Sequence, residues 1–396
     1  MVLLYNTVTM SDKLKKLTGK FGYEAVSKNL VDNCDVDLFK ELVEQDGFLF
    51  DFIKQNVSKR ISDAVDEKNY KNLLEFLKYY SPSYEDAIIS NLVEFADEDL
   101  TDTFLEKFEN GTNAEKTYCA KYFAYIKDPL AYEFLIKNAY SSDEYLAQNC
   151  ASTLSVWNDE KSYNDAISKL NENDEFEKLS AVKFLCAYGK KDAVPSILKA
   201  LETSAMAENI AGEIPYLMNL QELLDKFYTD ALFVINCIIN GLGEILPLSV
   251  VFDFEFFDVF ERLINSEIDS KSAVVLLNAV EKFETLTEND EYLFDEDKDT
   301  KNEIHDIKNL LKNADIKELK RCAENELRDD SLFVYTALEF AENPLVIREL
   351  LKSDNQTVIL RTSEILKKLG NFDETARTVA LSKVADLNIK EIIRAL

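Results

Sequence analysis

Three stretches of this chain align at a spacing of 31 residues: CAKYFAYIKDPLAYEFLIKNA (119–139), CASTLSVWNDEKSYNDAISKL (150–170) and AVKFLCAYGKKDAVPSILKAL (181–201). Each reads as a helix, a short polar turn and a second helix. A fixed period of this length is the mark of a repeat array, in which a helix pair buries its apolar face only by stacking on its neighbours. No segment shows sustained period-2 alternation, so the chain reads as all-α.

Composition agrees. Nine Gly and six Pro in 396 residues leave long stretches free for helices, and 46% apolar with 30% charged residues fits a folded chain. The net charge of −29 opposes polyanions, so nucleic-acid binding is not expected. Residues 304–396 carry 15 Lys and Arg against 16 Asp and Glu, which leaves nearly all the acidity to residues 1–303. Cys34, Cys119, Cys150, Cys186, Cys237 and Cys322 form no CxxC pair. They read as small buried residues of a cytoplasmic protein. The start, MVLLYNTVTMSDKLKKL, lacks a signal-peptide pattern, and Met10 serves as well as Met1 for a beginning.

The oily run ALFVINCIINGLGEILPLSVVF (231–252) is broken by Gly241, Gly243 and Pro247, and reads as a buried core helix rather than a membrane span. After it, Phe252, Phe256, Val259, Phe260, Leu263 and Ile264 are expected to share one buried helical face.

The organisation read along the chain is an N-terminal segment (1–34), helical pairs (35–113), regular repeats (114–204), irregular pairs (205–286), an acidic loop (287–303) and C-terminal helical pairs (304–396). Residues 14–30 read as helical. Tyr70, Leu73, Leu74, Leu77 and Tyr80 read as one helical face, and ENGTN (109–113) as a loop.

The third repeat resembles HEAT repeats of the phycobilisome-lyase-like type. Ala181, Leu185, Tyr188, Gly189, Ala193, Val194, Pro195, Ile197, Leu198 and Leu201 fall on that pattern. The second repeat keeps Leu154, Trp157, Ile167 and Leu170 but has Asn158 at the glycine and Asn164 at the proline. The first keeps Phe123, Ile126, Ala131, Leu135 and Ile136. The resemblance implies a right-handed α-solenoid of HEAT/armadillo-like helix pairs. It also implies second helices that line a concave wall. Such arrays serve as adaptors and regulators, as bilin lyases and as some DNA-repair glycosylases. No catalytic motif travels with the repeat.

On the second helices, columns 135/166/197, 136/167/198 and 139/170/201 are apolar and expected to be buried. The columns between them hold Glu133 and Asn164, then Lys137, Ser168 and Lys199, then Tyr140, Asn171 and Glu202. These eight are the candidate partner-binding residues. Trp157 closes a first helix and is expected in the core.

No catalytic residue and no cofactor is expected. His305 is the one histidine, and LGE (242–244) is far from a phosphate-binding loop. Asp295, Asp297, Asp299 and Asp306 mimic a calcium loop, but Thr300 stands where the turn needs glycine. An acidic solvated loop without a metal is the expectation there. The chain thus reads as a cytoplasmic, non-catalytic scaffold or adaptor for protein partners, with no nucleic acid and no membrane. The alternative is a bilin lyase-like protein or another HEAT-fold enzyme subunit.

Overall fold

The computed structural model describes residues 96–396 except 289, 294–295 and 329–332, together with residues 19–22, 25, 89–90 and 92–94. The helical face at 70–80 and most of the segment 14–30 lie outside the described residues. Among the described residues all regular structure is helical, with one isolated bridge between Leu242 and Leu246. Two compact units divide the chain, Met1–Asp159 and Glu160–Leu396. The division falls at the turn of the second repeat, inside the stretch expected to form one regular block.

In the first unit, α1 (Glu98–Asn110) buries Leu100, Phe104 and Phe108, a four-residue spacing that makes one stripe. The stripe meets α2 (Asn113–Tyr125), with the Phe104 and Tyr122 rings stacked at 4.0 Å. The expected 109–113 loop shrinks to Gly111 and Thr112. A Cβ on Gly111 would lie 2.5 Å from the Lys107 carbonyl oxygen, so only glycine fits so close a reversal. Thr112 and Glu115 then close a capping box: Thr112 Oγ1 accepts from Glu115 N at 3.3 Å, and Glu115 Oε2 accepts from Thr112 N at 2.8 Å. A 3₁₀ turn (Pro129–Ala131) leads into α3 (Tyr132–Asn138), and α4 (Glu144–Val156) packs back on α2.

The second unit begins with α5 (Glu160–Lys169), α6 (Glu175–Tyr188), a 3₁₀ turn (Lys191–Ala193) and α7 (Val194–Leu201). Beyond the repeats come α8 (Ala207–Leu217), α9 (Leu220–Lys226) and α10 (Tyr228–Gly241). Here α5 and α8 pack on α6, and α10 packs on α8. Only the first half of the oily run lies in α10, with Leu232, Ile235, Ile238 and Ile239 fully buried; that helix ends at Gly241, and residues 242–249 form a turn instead of continuing it. No helix among the described residues is long and apolar enough to cross a membrane.

α11 (Val250–Asp253) and α12 (Phe256–Asn265) split the expected Phe252–Ile264 face. Phe256, Val259, Phe260 and Leu263 are buried on α12, whereas Phe252 belongs to α11 and is 51% exposed. Glu255, at φ 55°, turns the chain between them and breaks the helical register.

α13 (Ser270–Glu288) packs on α10 and is followed by α14 (Asp290–Leu293) and α15 (Lys298–Leu311). The stretch 287–303, expected as an acidic loop, is therefore largely helical. Asp297 turns it: Oδ1 accepts from Asp299 N and Thr300 N at 2.8 and 2.9 Å, and Oδ2 accepts from Thr300 Oγ1 at 2.8 Å. That is an N-cap, and it nucleates α15 instead of a calcium-like turn. Asp299, Glu303 and Asp306 consequently run along a helix, and Asp295 lies outside the described residues.

The rest comprises α16 (Ile316–Ala323), α17 (Val334–Phe340), α18 (Pro344–Glu349), α19 (Gln356–Lys368), α20 (Glu374–Lys383) and α21 (Leu387–Ala395). α16 packs on α13, α17 on both α13 and α19, and α19 on α20 and α21.

Candidate partner-binding surface

The three first helices of the repeats, α2, α4 and α6, begin at 113, 144 and 175, a spacing of 31. Each is started by a side-chain cap at the same step: Thr112, Asp143 and Asp174 accept from the backbone of the first turn. Such caps satisfy N–H groups that a helix start leaves without partners, and fix where each helix begins. The helix ends recur as well. Asn158 follows α4 at φ 55° and Gly189 follows α6 at φ 79°, so the asparagine takes the left-handed position that the glycine holds one repeat later.

With the helices phased in this way, the second helices α3, α5 and α7 turn their columns as helical spacing requires. Leu135, Ala166 and Ile197 are buried, and so are Ala139, Leu170 and Leu201. In the third apolar column Leu198 is buried, while Ile136 and Ile167 are half-buried. Between these, Glu133, Lys137, Asn164, Ser168, Asn171, Lys199 and Glu202 are exposed, and Tyr140 is half-buried.

The candidates fall into three sets, one per second helix. Glu133, Lys137 and Tyr140 belong to the first unit, and the other five to the second. Ser168 Oγ donates to Asn164 O at 3.0 Å, and Asn171 N, two residues past the end of α5, donates to Ser168 O at 3.1 Å. At the end of α7, Glu202 N donates to Leu198 O, which places its side chain one turn from Lys199.

Within each unit, side chains link segments that are distant in sequence. In the first unit Thr153 Oγ1 donates to Ala120 O at 2.9 Å, and Lys127 Nζ donates to Trp157 O at 2.8 Å. Trp157 is 7% exposed, as expected of a core residue. In the second unit Lys190 Nζ donates to Glu160 Oε1 at 3.0 Å and lies 4.6 Å from the centre of the Tyr163 ring. The Glu160 hydrogen bond holds the Lys190 amine above its usual range. Burial raises the Tyr163 phenol, against the opposing pull of Lys190.

Cys119, Cys150, Cys186 and Cys237 are buried free thiols, and Cys322 is half-buried. Burial pushes the Cys237 thiol up to about 12, with Glu208 adding to the shift, so it stays neutral. Burial raises Cys119 first, and Glu115 and Cys150 raise it further. His305 is exposed on α15. Among the described residues no three of His, Cys, Asp and Glu converge as a metal ion would require.

One buried polar cluster carries no sequence signal. Asn236, 2% exposed on α10, donates from Nδ2 to Thr336 Oγ1 on α17 at 3.1 Å. Asn278 on α13 donates to Asn236 Oδ1 at 2.9 Å and to Asn240 Oδ1 at 2.8 Å. These bonds tie three helices together, since a slip would leave the buried Asn236 amide unpaired.

No protein-family model matches the chain, and no curated protein matches it in sequence.

Proposed function

We propose that this chain is a cytoplasmic, non-catalytic scaffold or adaptor, built as an α-solenoid of HEAT-like helix pairs, that binds protein partners. The carrying observation is the division along α3, α5 and α7. Buried columns at 135/166/197 and 139/170/201 alternate with solvated columns at 133, 137, 164, 168, 199 and 202. A rigid helix pair that spends one face on its neighbours keeps the other for recognition. The set mixes exposed acids, amides and a lysine on each of two helices with one half-buried tyrosine, which is the chemistry of a polar interface rim with an aromatic anchor.

Two further observations support the reading. The net charge of −29 makes protein a better partner than nucleic acid. The buried thiols, held neutral and unpaired, suit a reducing compartment.

The test substitutes the exposed columns without touching the core. Glu133→Lys, Lys137→Glu, Lys199→Glu and Glu202→Lys are combined in one variant, which is expected to keep its helical content and unfolding midpoint. Its capture of partners from the native source, read against the unaltered chain by quantitative mass spectrometry, is expected to fall. A variant that captures the same partners in the same amounts overturns the assignment of this surface.

A further inference from the structure

The second unit holds an open cleft of about 610 Å³, formed by α13, α16, α17 and α19. α13 and α19 both pack on α17, which makes them its two flanks. The cleft shares no residue with the second-helix columns at 133–202.

The floor is apolar. Leu277, Ala341 and Ile365 are buried, and Val280, Ile316 and Phe340 are half-buried beside them. The charges on the walls divide into spent and unspent. Lys320 Nζ lies 2.5 Å from Glu342, and Arg361 bridges Glu339 and Glu364, so two of the three cations are engaged within the walls. Glu281 and Glu284 stand one turn apart on α13, exposed, with no ion pair to a described residue. Lys368 on α19 is exposed and has none either. A smaller hollow of about 140 Å³ continues the cleft past Glu284 to Lys308 and Lys312. Those amines hydrogen-bond Thr287 and Asn309 instead of Glu284.

We propose that this cleft docks a short extended segment of a partner protein, one large apolar side chain flanked by arginine or lysine. The apolar side chain covers the floor, and the basic residue meets Glu281 and Glu284. Lys368, across the cleft, is placed for a main-chain carbonyl or a carboxylate of the same segment. The cleft itself is lined by Glu281, Glu284, Glu339, Glu342 and Glu364 against Lys320, Arg361 and Lys368, an excess of acid that turns away polyanions, while Lys308 and Lys312 lie beyond Glu284 in the smaller hollow. An apolar floor between charges of both signs asks for a ligand that carries all three features, and a peptide does. Leu277 to Glu284 spans about 10 Å along α13 at a rise of 1.5 Å per residue. About three extended residues, at roughly 3.3 Å each, cover that length.

The test pans a random heptapeptide library displayed on phage against the full chain. Enriched sequences are expected to pair Leu, Phe, Trp or Met with Lys or Arg within two positions. A fluorescein-labelled enriched peptide should bind at least tenfold more weakly to the Glu281→Lys/Glu284→Lys variant, and more weakly in high salt. Its affinity for the Lys199→Glu variant should be unchanged, which separates this cleft from the second-helix columns. Enrichment of acidic or purely apolar sequences, no enrichment, or indifference to the double reversal overturns the proposal. So does 4-phenylbutylamine binding as tightly as the peptide, since a lone amphiphilic amine would then satisfy the cleft.

Discussion

Trp157 donates its indole N–H to the carbonyl oxygen of Phe123 over 2.7 Å, so a side chain from one repeat closes the end of the first helix of the repeat before it. Phe123 lies in the last turn of α2, where carbonyls lack intrahelical partners. Trp157→Phe keeps an aromatic ring in the core but leaves that buried oxygen without its donor. A loss of about 1–3 kcal/mol is expected from the unsatisfied group. Urea unfolding monitored by circular dichroism checks it, and an unchanged midpoint would show the bond to be idle.

The repeat register is tested by neighbouring columns. Leu170 and Leu201 are 4% and 1% exposed, whereas Ser168 and Lys199, two residues earlier, face solvent. Leu170→Ala and Leu201→Ala each open a cavity and should cost about 2–5 kcal/mol. Ser168→Ala and Lys199→Ala should stay within about 0.5 kcal/mol. Thermal and urea denaturation of the four variants read the contrast, and a lysine column as costly as the leucine column would overturn the register.

What was legible in the sequence was what repeats locally. Leu135, Ala166 and Ile197 could be placed in the core because their spacing recurs every 31 residues beside a fixed turn. The caps Thr112, Asp143 and Asp174 obey the same period, and a search for capping residues in phase would have found them before the structure did. The acidic stretch at 287–303 misled because charge density suggested solvent. Asp297, with the Thr300 hydroxyl three residues on, was instead the cap of a helix. The Asn236–Thr336 bond spans 100 residues with no period to announce it. The cleft is likewise assembled from residues 277 to 369, where the 31-residue register has lapsed, and no local pattern could bring Glu284 and Lys368 to one hollow.

Asn158 and Gly189 make a second comparison at equal repeat positions. Both adopt positive φ, and a Cβ at Gly189 would meet nothing within 4 Å. The cost of Gly189→Ala is therefore purely that of the backbone, about 1–2 kcal/mol. Asn158→Gly should leave stability equal or slightly raised, because the asparagine already tolerates the conformation glycine prefers. Asn158→Val should cost more than Gly189→Ala, since a β-branched side chain fits this region worst. Urea midpoints rank the three. A neutral Gly189→Ala would mean that the turn relaxes to another conformation.

The last expectation concerns acid. Glu175 starts α6 and accepts from Lys178 Nζ at 2.8 Å, from Ser204 Oγ and from Ala205 N at 3.1 Å. The Lys178 bond, then the Ser204 bond, hold its carboxyl below the usual glutamate range, against the opposing effect of burial. The sign follows from linkage. A carboxyl whose pKa is lower in the folded state binds its proton more weakly there than in the unfolded chain. Its stabilisation is complete above the unfolded value of about 4.3, and is lost as the pH falls through the lowered folded value. Glu175→Gln removes this dependence and leaves Lys178, 5% exposed, without its carboxylate. The variant should be less stable than the unaltered chain by a constant margin between pH 6 and 8. That margin should shrink below about pH 4.3, where the native carboxyl begins to protonate. Adding Lys178→Met should restore part of the loss at neutral pH, because the buried charge that Gln cannot pair is gone. Chemical denaturation of the three proteins from pH 3 to 8 measures these margins. A gap between the unaltered chain and the Gln variant that stays the same at pH 3 and pH 7 would show that the Glu175 charge contributes nothing to the fold.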